Sequence, residues 1–340
     1  MDINKITEII PQPVVLNNID DSRGPCCMSF GFDLNPLVQS IERVGLINPP
    51  LLKRDSQGSI TIITGYRRIK ALKSLKADRA VCRVLSGDDI LPIECLLLNL
   101  HDNLAVRKFN DVEKGMVLTR LIPWIKPLEI VEHYMPLLGL PSNKATLSSY
   151  LKLEEEMGFR AKESIAQGQL SLRNAMMLLN IDSISRSSII DLISNIKLTV
   201  NQQRQLIDYT IDLAHIEGTS IPEILDDKSV KRINSNTRMN NPQKGRALIR
   251  YLRMRRYPSV SKAEREFKKM VSRLNLGEMV RIDHSPSFES PYYRLEVHFK
   301  DGTSLREKLE DFMREDIDSL TDPWKKDLFT TKITKNTKRS

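Results

Sequence analysis

Hydrophobic spacing divides the 340-residue chain into a short mixed region, a long helical region and a second mixed region. Up to residue 28 the pattern is thin, with at most one short strand at Val14-Val15-Leu16, and it reads as a leader. Leu34, Leu37, Val38, Ile41 and Val44 then share one face of a helix that Asp33 or Asn35 can cap and Gly45 can end. Leu51-Leu52-Lys53 reads as a strand, Ser56-Gln57-Gly58-Ser59 as a hairpin turn, and Ile60–Thr64 as the returning strand. Ile69, Leu72 and Leu75 fall at i, i+3 and i+6 of a following helix, and Ala80–Val84 is a further strand. Residues 29–100 are therefore expected to form a small α+β domain.

Strand patterns cease after Asp88. A helix is expected over Asp89–Leu100, and another after a cap at Asn110 or Asp111, carrying Val117, Leu118 and Leu121. Leu128, Val131, Met135 and Leu138 predict a helix ended by Gly139; Leu147, Tyr150, Leu151 and Leu153 predict a second one starting at Ser142 or Asn143. Helix, glycine turn and helix in that order give a helix-turn-helix corner inside an all-α region spanning 101–230. Lys231–Arg256 holds nine Lys or Arg residues and no acid, and 231–257 reads as a basic linker and helix. A helix over Ser261–Leu274, strands at Met279–Ile282 and Tyr292–Phe299, and a helix over Ser304–Arg314 predict a second α+β module across 258–318. Residues 319–340 form a basic tail, and no internal repeat is visible.

Composition narrows the class of protein. Hydrophobic residues make up 40% of the chain, enough for real cores, and no apolar run approaches membrane-spanning length. The start, Met1-Asp2-Ile3-Asn4-Lys5, has neither the basic lead nor the apolar core of a secretory signal, so a cytoplasmic protein is expected. Cys26, Cys27, Cys82 and Cys95 match no zinc spacing and read as reduced structural thiols, and no Ser–His or Cys–His catalytic set stands out. A net charge of +9 favours an anionic partner.

Two stretches could supply the chemistry. At Ile62–Leu72 an apolar strand meets Gly65 and a helix whose first turn carries Arg67 and Arg68. Free backbone N–H groups, a positive helix end and two guanidinium forks then converge, which suits a polyanion. The competing reading is an arginine pair that is simply solvated. In the corner, Asn143, Lys144, Thr146, Ser148 and Ser149, with Ser142 before and Lys152 after, are short or basic and not acidic, as a major groove requires. Glycine corners also occur in helical proteins that never touch DNA. Arg250 and Arg253 in the basic helix are candidate phosphate contacts, with a solvated face as the alternative. Asp102-Asn103 near a helix end could orient a hydrated metal or a ribose, or could merely cap.

The order of these parts resembles the ParB partition-protein family. Leu37–Pro50 is similar to its "SI…GLI.P" box, Gly65-Tyr66-Arg67-Arg68 to its Gly-x-Arg-Arg box, and Asp102-Asn103-Leu104 to its Glu-Asn-Leu box. Asn110, Val112 and Glu113 fit the start of the next family helix. The resemblance runs from about Asp33 to Ala175, and the family's Asn-Pro-x-Gln-Pro-Arg box is replaced by Cys26–Phe32, which has no basic residue. It implies a ParB/sulfiredoxin-like α+β domain followed by an all-α helix-turn-helix domain that binds double-stranded DNA. It further implies CTP with Mg²⁺ as ligand, held by Gly65, Tyr66, Arg67, Arg68, Asn103 and Arg107, with Asp102 and Asn103 near the metal. A homodimer, a ParA-like ATPase partner, a nucleoid-associated location and a role in chromosome or plasmid partition come with the resemblance. Weak CTPase activity stays open, as does a ParB-like transcriptional regulator that needs no nucleotide. An enzyme on the sulfiredoxin-like fold would place a cysteine in the turn now occupied by Tyr66.

Overall fold

The structure, a computed structural model, describes residues 8–86 and 90–324. The segment Met1–Lys5, the expected helix start at Asp89 and the tail from 325 lie outside the described residues. The architecture is α+β, and the chain divides into two compact units, Met1–Ile207 and Asp208–Ser340.

In the first unit a five-stranded sheet has the order β1-β5-β3-β4-β2, from Gln12–Val15, Arg79–Ser86, Leu51–Arg54, Ile60–Thr64 and Ile19–Asp20. β3 and β4 are the expected hairpin, closed by Asp55 Oδ1, which accepts from Gln57 N and Ser59 N at 2.9 and 2.8 Å. β5 lies parallel to β3, and β1 antiparallel to β5. The stretch before residue 28 thus contributes two edge strands, too short and irregular to show an alternating pattern. Helices α1 (Asn35–Val44) and α2 (Tyr66–Ser74) cover one face, where Leu52, Ile69 and Cys82 are fully buried. Burial also raises the Cys82 thiol to about 11, so it stays protonated at neutral pH.

Helix α3 (Pro92–Val106) covers the other face, packing Cys95 against Ile63 and Leu85. It outruns its expected end at Leu100, because nothing between His101 and Val106 breaks a helix. Helix α4 (Asp111–Leu121) starts from a capping box in which Asn110 and Glu113 bond each other's backbone N–H. Its Leu118 and Leu121 pack with Leu100, Ile130, Met135 and Met28 in a second core. Met28 is 1% exposed, so the chain before Phe30 is structural core and not only a lead-in.

The corner consists of a helical segment over 127–137, here α5, and α6 (Lys144–Glu156). Within α5, Ile130–Tyr134 is a π-helical turn, with Met135 N donating to Ile130 O. Pro136 has no N–H to continue α-helical bonding, and the wide turn absorbs one extra residue. Ile130 therefore faces inward and Leu128, expected inward, is 56% exposed. Gly139, at φ 67°, ends the helix, and Asn143 Oδ1 accepts from Thr146 N at 2.8 Å to start α6. Asn143→Ala should lower stability by about 1 kcal/mol in urea unfolding, and an unchanged midpoint would show that this cap is dispensable. Helices α7 (Phe159–Ala166), α8 (Leu172–Leu178) and α9 (Ser183–Ile196) complete the bundle, and α10 (Val200–Glu217) follows in the chain.

The second unit continues with α11 (Ile221–Leu225), α12 (Lys228–Ser235), α13 (Asn241–Arg256) and α14 (Pro258–Arg273). Residues 231–235, expected as linker, are helical, started by Asp227, whose Oδ1 accepts from Ser229 N at 2.7 Å. The antiparallel hairpin of β6 (Val280–His284) and β7 (Tyr293–Val297) precedes α15 (Gly302–Arg314). Phe267, Met270, Leu274 and Ile282 form its small core. No helix among the described residues is long and apolar enough to cross a membrane.

Candidate functional site

The strand–turn–helix at residues 60–74 brings the backbone of Gly65 against Pro50. Gly65 has φ 87° and ψ 21°, and a Cβ placed there would lie 2.9 Å from Pro50 Cβ. Glycine is therefore required twice over, by conformation and by space. Gly65→Ala should destabilise the unit by at least about 1–2 kcal/mol from the left-handed backbone alone, read by thermal or urea unfolding. Wild-type stability in that variant would mean the turn reshapes freely.

From this turn the two arginines reach different partners. Arg67 donates from Nη2 to Glu113 Oε1 at 2.8 Å and from Nε to Ser29 Oγ at 3.3 Å, with its guanidinium 4.5 Å from the centre of the Phe32 ring. Arg68 donates from Nη1 to Asn48 O at 2.7 Å and sits 3.5 Å from Asp102 Oδ2. Arg107, at the end of α3, donates to Glu113 Oε2 at 2.6 Å, Asn103 Oδ1 at 2.7 Å and Met28 O at 2.9 Å. Glu113, 1% exposed, also accepts from Phe30 N and Asn110 N, each at 3.1 Å. One buried carboxylate thus joins the arginine turn, the 28–30 loop and α4. Its capping-box spacing to Asn110 marks Glu113 in the sequence as a helix start, but not as the partner of two arginines.

All six residues expected at a nucleotide, Gly65, Tyr66, Arg67, Arg68, Asn103 and Arg107, line one cleft of about 610 Å³, together with Asp102. That volume falls within the roughly 300–1,000 Å³ usual for ligand sites. Arg83 of β5 lines it too, with its buried Nε lacking a hydrogen-bond partner among the described residues. Sequence reading missed Arg83, since within a strand it looks like an ordinary outward-facing residue. Among the described residues four arginines meet two carboxylates here, Asp102 and the buried Glu113, leaving two cations uncompensated. Burial pushes the pKa of Arg67 below its ordinary value, with neighbouring Arg107 adding to the shift, and burial does the same to Arg68. Both guanidinium groups still carry their charge at neutral pH, but in surroundings short of negative charge. An anion entering the cleft would relieve both.

Asp102 and Asn103 differ in what they can offer a metal ion. The Asp102 carboxylate is 46% exposed and only loosely held by Arg68. The Asn103 carbonyl oxygen is occupied by Arg107, while its amide donates to Asn99 O at 2.8 Å. Mg²⁺ takes one or two carboxylates together with phosphate oxygens. Asp102 fits that need directly, and Asn103 only after releasing Arg107. Among the described residues no group of three or more His, Cys, Asp or Glu gathers as a metal cage.

On the corner, Ser142, Asn143, Lys144, Ser148 and Lys152 are exposed, while Thr146 and Ser149 are half-buried. Asn143 spends its carbonyl oxygen on the cap, and Ser149 Oγ donates to Ala145 O at 2.9 Å. Lys152 lies 3.8 Å from Glu156, one turn on. The face from Ser142 to Ser149 carries no acid. In the second unit Arg253 is held by Glu264 through two bonds of 2.8 and 2.6 Å, and Arg255 is similarly gripped by Glu217. Arg256 donates to Asp212 at 2.9 Å. The acids missing from 231–256 arrive from other helices, so Arg253 is neutralised, whereas Arg250 is exposed.

A cationic cleft on a mixed sheet, followed by a helix-turn-helix corner with an acid-free face, gives the first unit one candidate anion site and one candidate DNA surface. No family model matches the chain. The chain is 28% identical over 208 residues to the probable chromosome-partitioning protein ParB of Chlamydia muridarum, covering 54% of this chain and 67% of that protein. It is 22% identical over 203 residues to the corresponding Vibrio cholerae protein, covering 60% and 65%. The match thus spans about two thirds of each relative. A solved structure of C-terminally truncated Caulobacter crescentus ParB with the centromeric parS site aligns at a TM-score of 0.32 and 14% identity, covering 58% of this chain and 98% of that one. The same protein with CTP-gamma-S aligns at 0.26 and 15%, covering 54% and 98%. Over about half of its own length the chain is thus similar to ParB proteins of several bacteria, at 22–28% identity.

Proposed function

We propose that this chain is a sequence-specific double-stranded DNA-binding protein acting in chromosome or plasmid partition, with CTP and Mg²⁺ as the ligand of its cleft. The observation that carries the reading is the convergence of Arg67, Arg68, Arg83 and Arg107 on one cleft with two positive charges left uncompensated among the described residues. In this reading Gly65 lets the backbone approach the phosphates, Arg68 and Arg83 bind their oxygens, and Arg67 and Arg107 hold the wall in place through Glu113. Asp102 would hold the metal, which neutralises phosphate charge when bound. Tyr66 and Asn103 complete the wall. Titration calorimetry with each of the four nucleoside triphosphates tests this, with binding expected for CTP. Silence with all four would remove nucleotide from the proposal.

A second reading, a DNA-binding regulator with no nucleotide, is favoured by one specific observation. Glu113 already occupies Arg67 and Arg107, so half of the cationic set is satisfied internally. The same titration separates the two.

DNA contact is assigned to the acid-free face of α6 and the turn before it, with Arg250 as a further phosphate contact. Lys144→Ala should weaken binding across all sequences and reduce the slope of log affinity against log salt by about 1. An unchanged slope would remove Lys144 from the interface. A nucleoid-associated location, a homodimer and a ParA-like ATPase partner belong to the same proposal.

A further inference from the structure

The first unit contains a second cavity, of about 440 Å³, which shares only the Tyr66 and Asn99 wall with the arginine cleft. Its character is different. Ile62, Ile63, Leu96 and Trp124 make much of its lining apolar, and two cations, Lys53 and Arg120, reach it. Among the described residues the one acid on the lining is Asp20, exposed and bonded to Ser22 N and Oγ at 2.9 and 3.0 Å.

Arg120 is the notable group. It lies half-buried near the end of α4, and its contact is a long bond of 3.4 Å from Nη1 to Met116 O. The nearby carboxylate Glu154 is taken by Lys162 at 3.1 Å. Lys53 Nζ donates to Ile90 O at 3.3 Å. A guanidinium held among apolar groups without a carboxylate partner is costly unless a ligand supplies the anion. Burial accordingly pushes the Arg120 pKa down. Trp124, 54% exposed, stands on the lining beside it.

We infer that this cavity is a binding site for a small amphipathic anion, a carboxylate or sulfonate on an aromatic or aliphatic body. The acid group pairs with Arg120, assisted by Lys53, and the body packs on the apolar wall and Trp124. The site does not depend on the nucleotide reading of the neighbouring cleft.

The test uses the full chain carrying Trp324→Phe, which leaves Trp124 as the sole tryptophan. Titration with 1-anilinonaphthalene-8-sulfonate should give saturable emission sensitised by Trp124. Decanoate should displace the probe, and inorganic phosphate should not. Arg120→Leu, which keeps the apolar volume, should weaken the probe by about tenfold or more, and Arg120→Lys should retain most of the affinity. Equal sensitised emission in Arg120→Leu, non-saturable binding, or displacement by phosphate would overturn the inference. Should Arg120→Leu fail to fold by circular dichroism, Lys53→Met on the opposite strand decides: a several-fold loss supports the site, and no loss rejects it.

Discussion

Glu113→Ala should destabilise the first unit by about 3–5 kcal/mol, the range for removing one partner of a buried ion pair. The carboxylate is 1% exposed and holds Arg67 at 2.8 Å and Arg107 at 2.6 Å, with their side chains 29% and 16% exposed. Its loss leaves two desolvated guanidinium groups facing each other, and strips Phe30 N and Asn110 N of their acceptor. The capping box of α4 is lost with it. Glu113→Gln should fall between, since an amide oxygen can still accept but the charge is gone. Urea unfolding measures both variants, and a double-mutant cycle with Arg107→Ala should return a coupling of 1 kcal/mol or more. A loss below about 1 kcal/mol for Glu113→Ala would mean that solvent replaces the carboxylate and that the network does not hold the cleft together.

On the proposed nucleotide reading of the cleft, Arg68→Ala should weaken CTP about 10- to 150-fold, the equivalent of one charge-assisted phosphate bond, while leaving the fold almost as stable as before. The contrast with Arg67 explains why. Arg68 gives one bond to the Asn48 carbonyl and faces a half-exposed carboxylate at 3.5 Å, so little of the structure leans on it. Arg67 is tied to Glu113 and Ser29, and its removal unbalances the buried acid. Arg67→Ala should therefore lower affinity and stability together, whereas Arg68→Ala should separate them. Titration calorimetry and thermal unfolding on the two variants give the comparison. Unchanged CTP affinity in Arg68→Ala would take this arginine out of the phosphate site.

Much of this arrangement was legible in the residues. The β3–β4 hairpin, its turn, Gly65 and the helix after it follow from β-branched runs, turn residues and helical spacing. The second strand is found where the sequence puts it, at Ile60–Thr64. Asn110 caps α4 and Gly139 ends α5, because caps and left-handed stops are local chemistry. What local pattern does not carry is tertiary. β1 and β2 are 4 and 2 residues long and exist only because the sheet offers them partners. Arg83 joins the cleft through the register of β5, and Glu113 through a contact 46 residues from Arg67. The basic run at 231–256 looked uncompensated because Glu217, Asp212 and Glu264 lie elsewhere in the chain. Leu128 was misplaced because Pro136 changes the winding two turns downstream, which a fixed 3.6-residue period ignores.

That winding makes the entry to the helical corner unequal in how it tolerates a change of length. The π-turn at Ile130–Tyr134 stores a residue that regular winding would not need. Deleting one residue there would tighten the coil to ordinary pitch and swivel everything upstream by roughly 100°, while the glycine bend and α6 keep their places. An insertion has no such slack to draw on. Shortening should thus be absorbed at this spot, and lengthening resisted.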